Sequence, residues 1–423
     1  MAQQSISRFW QRFKQSRIAI VSLMICSFWI LMALIGPLIV SPLPYSCEWR
    51  GEKVYPLWNP HQVDSIIDPI QPKLYSEIRW DTLPLEDVSW ALIPYGTQGN
   101  SEHKEMKPFA RQIPKGANQA LTGRFRHHLG TNREGRDILA ILILGSRNAL
   151  LFSIIAVGIA ALLGILIGST MGYLGDRGWA QSRGVVFGAL LGIIPAWFYG
   201  FQVRGFVIED AVGFGVVGQV LLSLMIALGI LVLFVWLGHQ LTRWAWWQKS
   251  VPIPLDLILL KCIELIESLP IIMLVISLGA IFGKNVWFFM LCLGLISWTG
   301  IARLVRGEML RVRSLDYIQA AQALGLKRRQ IIWQHALPNA LPAVVVVLLT
   351  SLGGAVLIES GLSFLGLVNE NASWGGLLTN AREEGFENWW VIVLPGLAIF
   401  SLVISINLVG EKLRDVWDPK TTE

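Results

Sequence analysis

Long apolar runs alternate with short polar stretches along most of the chain. They fall at Ile18–Val40, Leu150–Leu174, Val185–Val203, Val216–Leu237, Cys262–Phe282, Val286–Leu304, Ala340–Leu362 and Val391–Val409. An α-helix rises about 1.5 Å per residue, so runs of this length can cross a bilayer. The pattern predicts an all-α polytopic membrane protein with about eight transmembrane helices. Arg8–Arg17, before the first run, is basic and amphipathic. The run is too long for a cleaved signal core and no small-residue cleavage site follows it, which predicts a retained signal anchor.

The polar stretches differ in charge. Basic clusters sit at the N-terminus and at residues 243–249, 303–313 and 327–329. Between them lie the polar, Pro- and Trp-containing stretch Ser41–Ser146, the pair Glu209–Asp210 and the acidic stretch Asn369–Asn388. Cytoplasmic loops favour Lys and Arg, so the basic clusters are expected inside, with both termini cytoplasmic. This divides the chain into a first segment and span (1–40), an external segment (41–147), a second span (148–175), a transmembrane hairpin (176–255) and a C-terminal region (256–423). In the second run Ala156, Ala160, Gly164, Gly168 and Gly172 recur every fourth residue. Such a stripe lets another helix approach closely, within the chain or across a subunit interface.

Composition supports a membrane protein. Hydrophobic residues make up 53% of the chain and charged residues only 15%, against about a quarter charged in soluble domains. The net charge of +6 is spread over separate clusters, so no nucleic-acid-binding stripe is expected. Of the four cysteines, Cys26, Cys262 and Cys292 lie in apolar runs and Cys47 outside them. They read as small packing residues, without disulfide or zinc spacing. No P-loop, HExxH, CxxC or GxSxG pattern is present, and the adjacent His127 and His128 read as a structural feature rather than a metal site. Ionisable residues in the runs are few. Glu264 and Glu267 lie near the basic end of theirs, and Glu359 near the opposite end of its own. Such groups are pathway or gating candidates, although near a helix end they can also reach the interface.

The segment Ser314–Asn339 joins two runs on the basic side. Ser314 is placed to cap a helix, Asp316 suits its first turn, and Gly325 is placed to end it. Lys327–Arg329 and a second helical stretch follow, and Pro338 marks entry into the next run. Helical spacing puts Tyr317, Ala320, Ala321 and Leu324 on one face. By spacing alone this is either a partner-docking element or an amphipathic helix lying on the membrane.

The segment resembles the EAA loop of ABC importer permeases: Glu-Ala-Ala, Gly after three residues, then Leu-Pro after eleven more. Gln319-Ala320-Ala321, Gly325 and Leu337-Pro338 stand at those positions. His335 to Asn339 reads His-Ala-Leu-Pro-Asn, similar to the peptide-importer branch. Other blocks agree in order: His127–Asp137 with Gly145–Arg147, Glu264–Pro270, Leu357–Leu367, Ser373–Gly375 and Asn407–Pro419. The chain thus resembles the C-type permease subunit of dipeptide/oligopeptide importers. The resemblance implies a six-helix permease core, with Val185–Leu237 as an extra hairpin and Ser41–Phe125 as an enlarged external segment. The hairpin is expected to be peripheral and lipid-facing, and the external segment to cap the outer face or help dock a binding protein.

The resemblance also implies a second permease subunit, two ATPase subunits that bind ATP-Mg, an extracytoplasmic solute-binding protein and a bacterial inner membrane. The chain itself would hold no cofactor and catalyse nothing. Asp316, Tyr317, Gln319, Ala320, Ala321, Leu324, Gly325, His335 and Pro338 would couple to the ATPases. Gln319 lacks the family's charge, so docking is expected to rest on shape. The alternative is a self-contained secondary transporter or channel.

Overall fold

The computed structural model describes residues 13–49, 51–61, 63–64, 73–74, 76, 80, 83, 85–97, 107–111, 126–175, 180–210, 214–368, 372–384 and 388–417. The basic stretch before residue 13, much of the external segment and the end of the chain lie outside these. Among the described residues seven helices are long and apolar enough to cross a membrane. The chain divides into two compact units, one from Met1–Ile154 and Leu349–Glu423, the other from Ile155–Leu348.

In the first unit, α1 (Arg17–Ile39) starts at Ser16, whose hydroxyl accepts from the Ala19 amide at 3.3 Å. An antiparallel sheet follows, ordered β2-β1-β3, with β1 Ser46–Trp49, β2 Glu52–Val54 and β3 Glu86–Ser89. Cys47 pairs with Val54 and Ser46 with Ser89. Leu43, Cys47, Trp80 and Trp90 form its small buried core. The hydropathy pattern indicated no strands here, because each alternates for only a few residues.

Residues 127–137 form a compact turn into α2 (Ile138–Leu174). The Asn132 side-chain oxygen accepts from the Glu134 and Arg136 amides at 3.1 and 2.8 Å, and Gly130 and Gly135 take positive φ. Asp137 accepts from the Ala140 amide at 2.7 Å and from the His127 ring at 2.7 Å. Tyr95 stacks on that ring at 4.0 Å, and burial, then the Asp137 carboxyl, push the Tyr95 phenol above its usual pKa. His127 is thus held between Asp137 and Tyr95 in this turn. The helix begins well before the apolar run, since Ser146 and Asn148 interrupt the hydropathy but not the backbone. Ser146 bonds the Ile143 carbonyl, and Asn148 the Ala372 carbonyl at 2.8 Å.

In the second unit α2 packs on α7 (Val286–Arg313). A Cβ on Gly168 would lie 2.5 Å from the Ala302 carbonyl oxygen, and one on Gly172 2.6 Å from that of Arg306. The small-residue stripe is therefore used within the chain. The hairpin is α3 (Arg183–Trp197), continued by a π-helical turn at Phe198–Gln202, and α4 (Phe214–Leu241). Its helices touch through glycines: a Cβ on Gly188 would lie 2.3 Å from the Phe234 carbonyl oxygen. Arg204 ties the far end, donating to Gln219 at 2.6 Å and Ser223 at 3.0 Å. At the base β4 (Ala180–Ser182) pairs antiparallel with β5 (Ser250–Pro252).

The expected span Cys262–Phe282 is two shorter helices, α5 (Leu255–Glu267) and α6 (Ile271–Phe282). Pro270 has no N–H and disfavours helical geometry before it, so the helix stops although the apolar run continues. Cys262 is exposed, whereas Cys26, Cys47 and Cys292 are buried.

Candidate functional site

The segment between α7 and the next span is built by local stops and starts. Ser314 does not cap the following helix. It closes α7, its hydroxyl donating to the Arg311 carbonyl at 2.7 Å. The cap position before α8 (Asp316–Ala323) is Leu315, whose carbonyl receives the Ile318 and Gln319 amides. Asp316 lies in the exposed first turn, favourable beside the helix's positive end. Gln319 donates through its amide to the Ser314 carbonyl at 3.2 Å. A glutamate carboxylate has no proton to give there, so the amide serves the loop's own geometry.

Gly325 ends α8 at φ +76°, with its amide on the Gln322 carbonyl at 3.0 Å and the Leu326 amide on Ala321 at 3.3 Å. This is a Schellman stop, which favours glycine at the left-handed position. Nothing lies within 4 Å of a Cβ placed on Gly325, so backbone conformation alone selects it. Another L-residue would cost about 1–2 kcal/mol there.

Beyond the stop, Arg328–Phe364 is one continuous helical segment of 37 residues. It runs through a π-helical stretch, Ile331–Ala336, into α9 (Leu337–Phe364). Pro338 therefore sits inside a helix rather than at its entry. The wider turn before it relieves the clash between its ring and the carbonyl four residues back. Half-buried His335 gives its carbonyl to the Asn339 side chain at 2.8 Å.

The faces of α8 differ from the spacing estimate. Ile318 and Ala321 are buried, at 0% and 7% exposure, against Met309, Val312, Ile331 and Ala336. Tyr173 is part of the same cluster and its hydroxyl accepts from Gln322 at 3.2 Å. Ala321 is therefore an anchor, and the open face carries Tyr317, Ala320 and Leu324, the last 81% exposed. Trp333, in the π-helical stretch, is also exposed. This apolar face, on a helix held from behind, is the candidate docking surface.

The acidic candidates divide between the two units, Glu264 and Glu267 in the second and Glu359 in the first. Glu264 pairs with Lys261 and Glu267 with Arg303, each at 2.7 Å and partly exposed. Glu359 is fully buried in the first unit, where Ser360, Ser363 and Ser373 donate to its carboxyl at 3.2, 3.0 and 3.4 Å. Ser373 and the next two residues lock this corner. Trp374, at the start of α10 (Trp374–Glu384), donates to the Leu142 carbonyl at 2.9 Å, and a Cβ on Gly375 would lie 2.0 Å from the Ser360 carbonyl oxygen. Sequence reasoning missed the pair Arg306–Asp256, whose two bonds of 2.5 and 2.6 Å tie α7 to the first turn of α5. Fifty positions separate the partners, and no local spacing announces them.

Residues 245–423 match the family described as binding-protein-dependent transport system inner membrane component. Residues 6–59 match the N-terminal transmembrane domain of oligopeptide transport permease C. Over 241 residues the chain is 30% identical to a putative peptide permease protein of Brucella ovis, covering 53% of this chain and 74% of that protein. The chain belongs to this family. It is 35% identical over 167 residues to the oligopeptide transport system permease protein OppC of Haemophilus influenzae, covering 39% of this chain and 54% of that protein. Identity with the probable D,D-dipeptide transport system permease protein DdpC of Escherichia coli is 25% over 296 residues, or 70% of this chain and 74% of that protein. The chain thus spans about half the length of the Haemophilus relative and about three quarters of the other two. Family membership and the membrane-capable helices make it a multi-pass inner-membrane permease component without a catalytic role. The α8 segment and the Glu359 corner both lie within the longer match.

Proposed function

We propose that this chain is the permease subunit of an ATP-driven importer of short peptides. It would form the translocation pathway with a second permease and receive solute from an extracytoplasmic binding protein. Two ATPase subunits, which bind ATP-Mg, would drive it. The names of the relatives support the peptide class. The observation that carries the coupling role is the seating of α8. Its inner residues Ile318 and Ala321 are fixed on the ends of the spans, while Tyr317, Ala320 and Leu324 face outward. The basic residues of Arg303–Arg313 and Lys327–Arg329 support a cytoplasmic position for this end under the positive-inside rule.

A helix held in this way passes movement of a docked ATPase to α7 and α9, because its contacts differ between the two transport states. Gln319 turns toward its own loop, so docking rests on shape more than on a charge at that position. Glu264 and Glu267 are proposed pathway-side groups, and Glu359 a buried brace of the pathway wall. Replacing Leu324→Arg should abolish peptide uptake and uptake-linked ATPase stimulation in the assembled transporter. The amount of protein in the membrane should stay the same. Uptake at the unmodified level would refute the coupling assignment.

A further inference from the structure

Ion pairs hold α5 on α7 at both ends. In the first turn of α5, Asp256 is 7% exposed and accepts from Arg306 through both oxygens, from Nε at 2.5 Å and Nη2 at 2.6 Å. At the last residue, Glu267 accepts from Arg303 at 2.7 Å. Between them Ile263 is fully buried in a cluster with Met171 of α2 and Ala302 of α7. At 1.5 Å per residue the two acids stand about 16 Å apart along the helix axis. Two anchors that far apart fix the direction of α5 as well as its position.

The α7 turn that carries Arg306 is also gripped from α2 and leads to α8. A Cβ on Gly172 would lie 2.6 Å from both the Arg306 carbonyl oxygen and the Met309 Cβ. Met309 and Val312, further along α7, share a buried cluster with Ile318 and Ala321 of α8. A connected path therefore runs from α8 through α7 to the first turn of α5. Desolvation offsets much of the attraction in a buried ion pair, so stability alone is a weak reason for one. Its two parallel bonds supply a fixed orientation instead.

Beyond Glu267 the backbone changes. Ser268 closes α5, its hydroxyl donating to the Leu265 carbonyl at 2.7 Å. Pro270 is extended at ψ 114°, and α6 starts afresh at Ile271. It ends at Gly283, with φ +74°, and Asn285 then caps α7 by accepting from the Trp287 amide at 2.9 Å. So α6 has a joint at each end, whereas α5 is fixed at each end. Hinges are made of a few such residues at the ends of elements.

We propose that the Asp256–Arg306 pair is a positioning joint of transport. It makes α5 travel with α7, so that movement received at α8 is released as a tilt of α6 about Leu269–Pro270 and Gly283. This rests on the importer reading above, because the movement comes from the docked ATPases.

The test uses the assembled transporter in nanodiscs with its binding protein, and trialanine as solute. Spin labels go on exposed positions in a Cys262→Ser background: Leu265→Cys with Leu310→Cys, and Met273→Cys with Leu310→Cys. Between the nucleotide-free state and ATP in EDTA, the 273–310 separation should shift and the 265–310 separation should not. Asp256→Asn keeps the shape of the side chain and removes its charge. It should broaden the 265–310 distribution and cut trialanine-stimulated ATP hydrolysis about tenfold, with basal hydrolysis unchanged. Asp256→Glu restores the charge and should recover most of the stimulation. If the asparagine variant fails to assemble, the wild-type separations decide. A 265–310 separation that shifts in the wild type would overturn the joint, as would wild-type stimulation and separations in Asp256→Asn. An equal fall in basal and stimulated hydrolysis, the mark of a merely structural pair, would do the same. Wild-type hydrolysis that does not respond to trialanine and the binding protein would instead refute the peptide-importer reading, and the joint with it.

Discussion

Gly325 and Gln319 show how far a single position can be read. The glycine is legible, because a helix stop at φ +76° is a local demand with few solutions. The glutamine is not. Its identity signals a lost charge, whereas its bond to the Ser314 carbonyl depends on where α7 ends. Cysteine gives a direct measurement at this scale. Burial pushes the Cys47 thiol up to about 11, so it stays protonated through the physiological range and forms thiolate only in strong base. Cys262 is exposed. A membrane-permeant maleimide should therefore label Cys262 at pH 7 and leave Cys47 unmodified, with Cys47 labelling rising as the pH approaches that value. Peptide mapping after labelling reads the result. Equal rates at pH 7 would contradict the buried setting of Cys47.

At the scale of elements, periodicity placed α8 but misjudged its inner face. Tyr317, Ala320, Ala321 and Leu324 are neighbours on any helix. Contacts with α2 and α7 turn Ala321 inward and leave the others out. The span expected at Cys262–Phe282 failed differently: hydropathy averages across Pro270, while the backbone cannot. The corner of α9 and α10 explains why Ser373-Trp374-Gly375 occurs as a block. The serine serves Glu359, the tryptophan fills the core and the glycine admits the Ser360 carbonyl. Glu359→Ala should leave buried hydroxyls without their acceptor. That costs about 1–3 kcal/mol and lowers the thermal midpoint in detergent. Glu359→Gln keeps an acceptor and should lose less. Equal midpoints for wild type and the alanine variant would remove Glu359 as a brace.

Across the whole molecule, we propose that the hairpin of α3 and α4 is an addition to the family plan. Gly184, Gly188, Gly192 and Gly238 are spent on its own two helices, and only 6% of the most apolar window of α4 is buried. The outward faces carry large side chains such as Leu190, Ile194, Met225 and Trp236, which suit lipid better than a close-packed helix partner. The β4–β5 ladder sets Ser182 opposite Ser250. Replacing Arg183–Lys249 by Asn-Gly would close that ladder with a tight hairpin turn. Two spans leave together, so the orientation of the later spans is preserved. We expect membrane insertion and peptide uptake to survive this excision, measured by membrane fractionation and uptake in cells. Loss of uptake with normal insertion would give the hairpin a role in transport.

The sequence by itself determined the number and order of apolar segments, apart from the break at Pro270. It also determined the basic side, the α8 segment with its glycine stop, and the family blocks. Each rests on composition over a window or on a local backbone constraint, and both are written in consecutive residues. Only the tertiary structure decided that the stripe on α2 packs on α7, that Ala321 is an anchor, and that serines from two elements surround Glu359. The Asp256–Arg306 pair is of the same kind. These are meetings of residues far apart in the chain, and they exist only once the helices have packed. The α8 segment belongs to both classes: its boundaries were local, and the face it offers a partner was set by what it rests on.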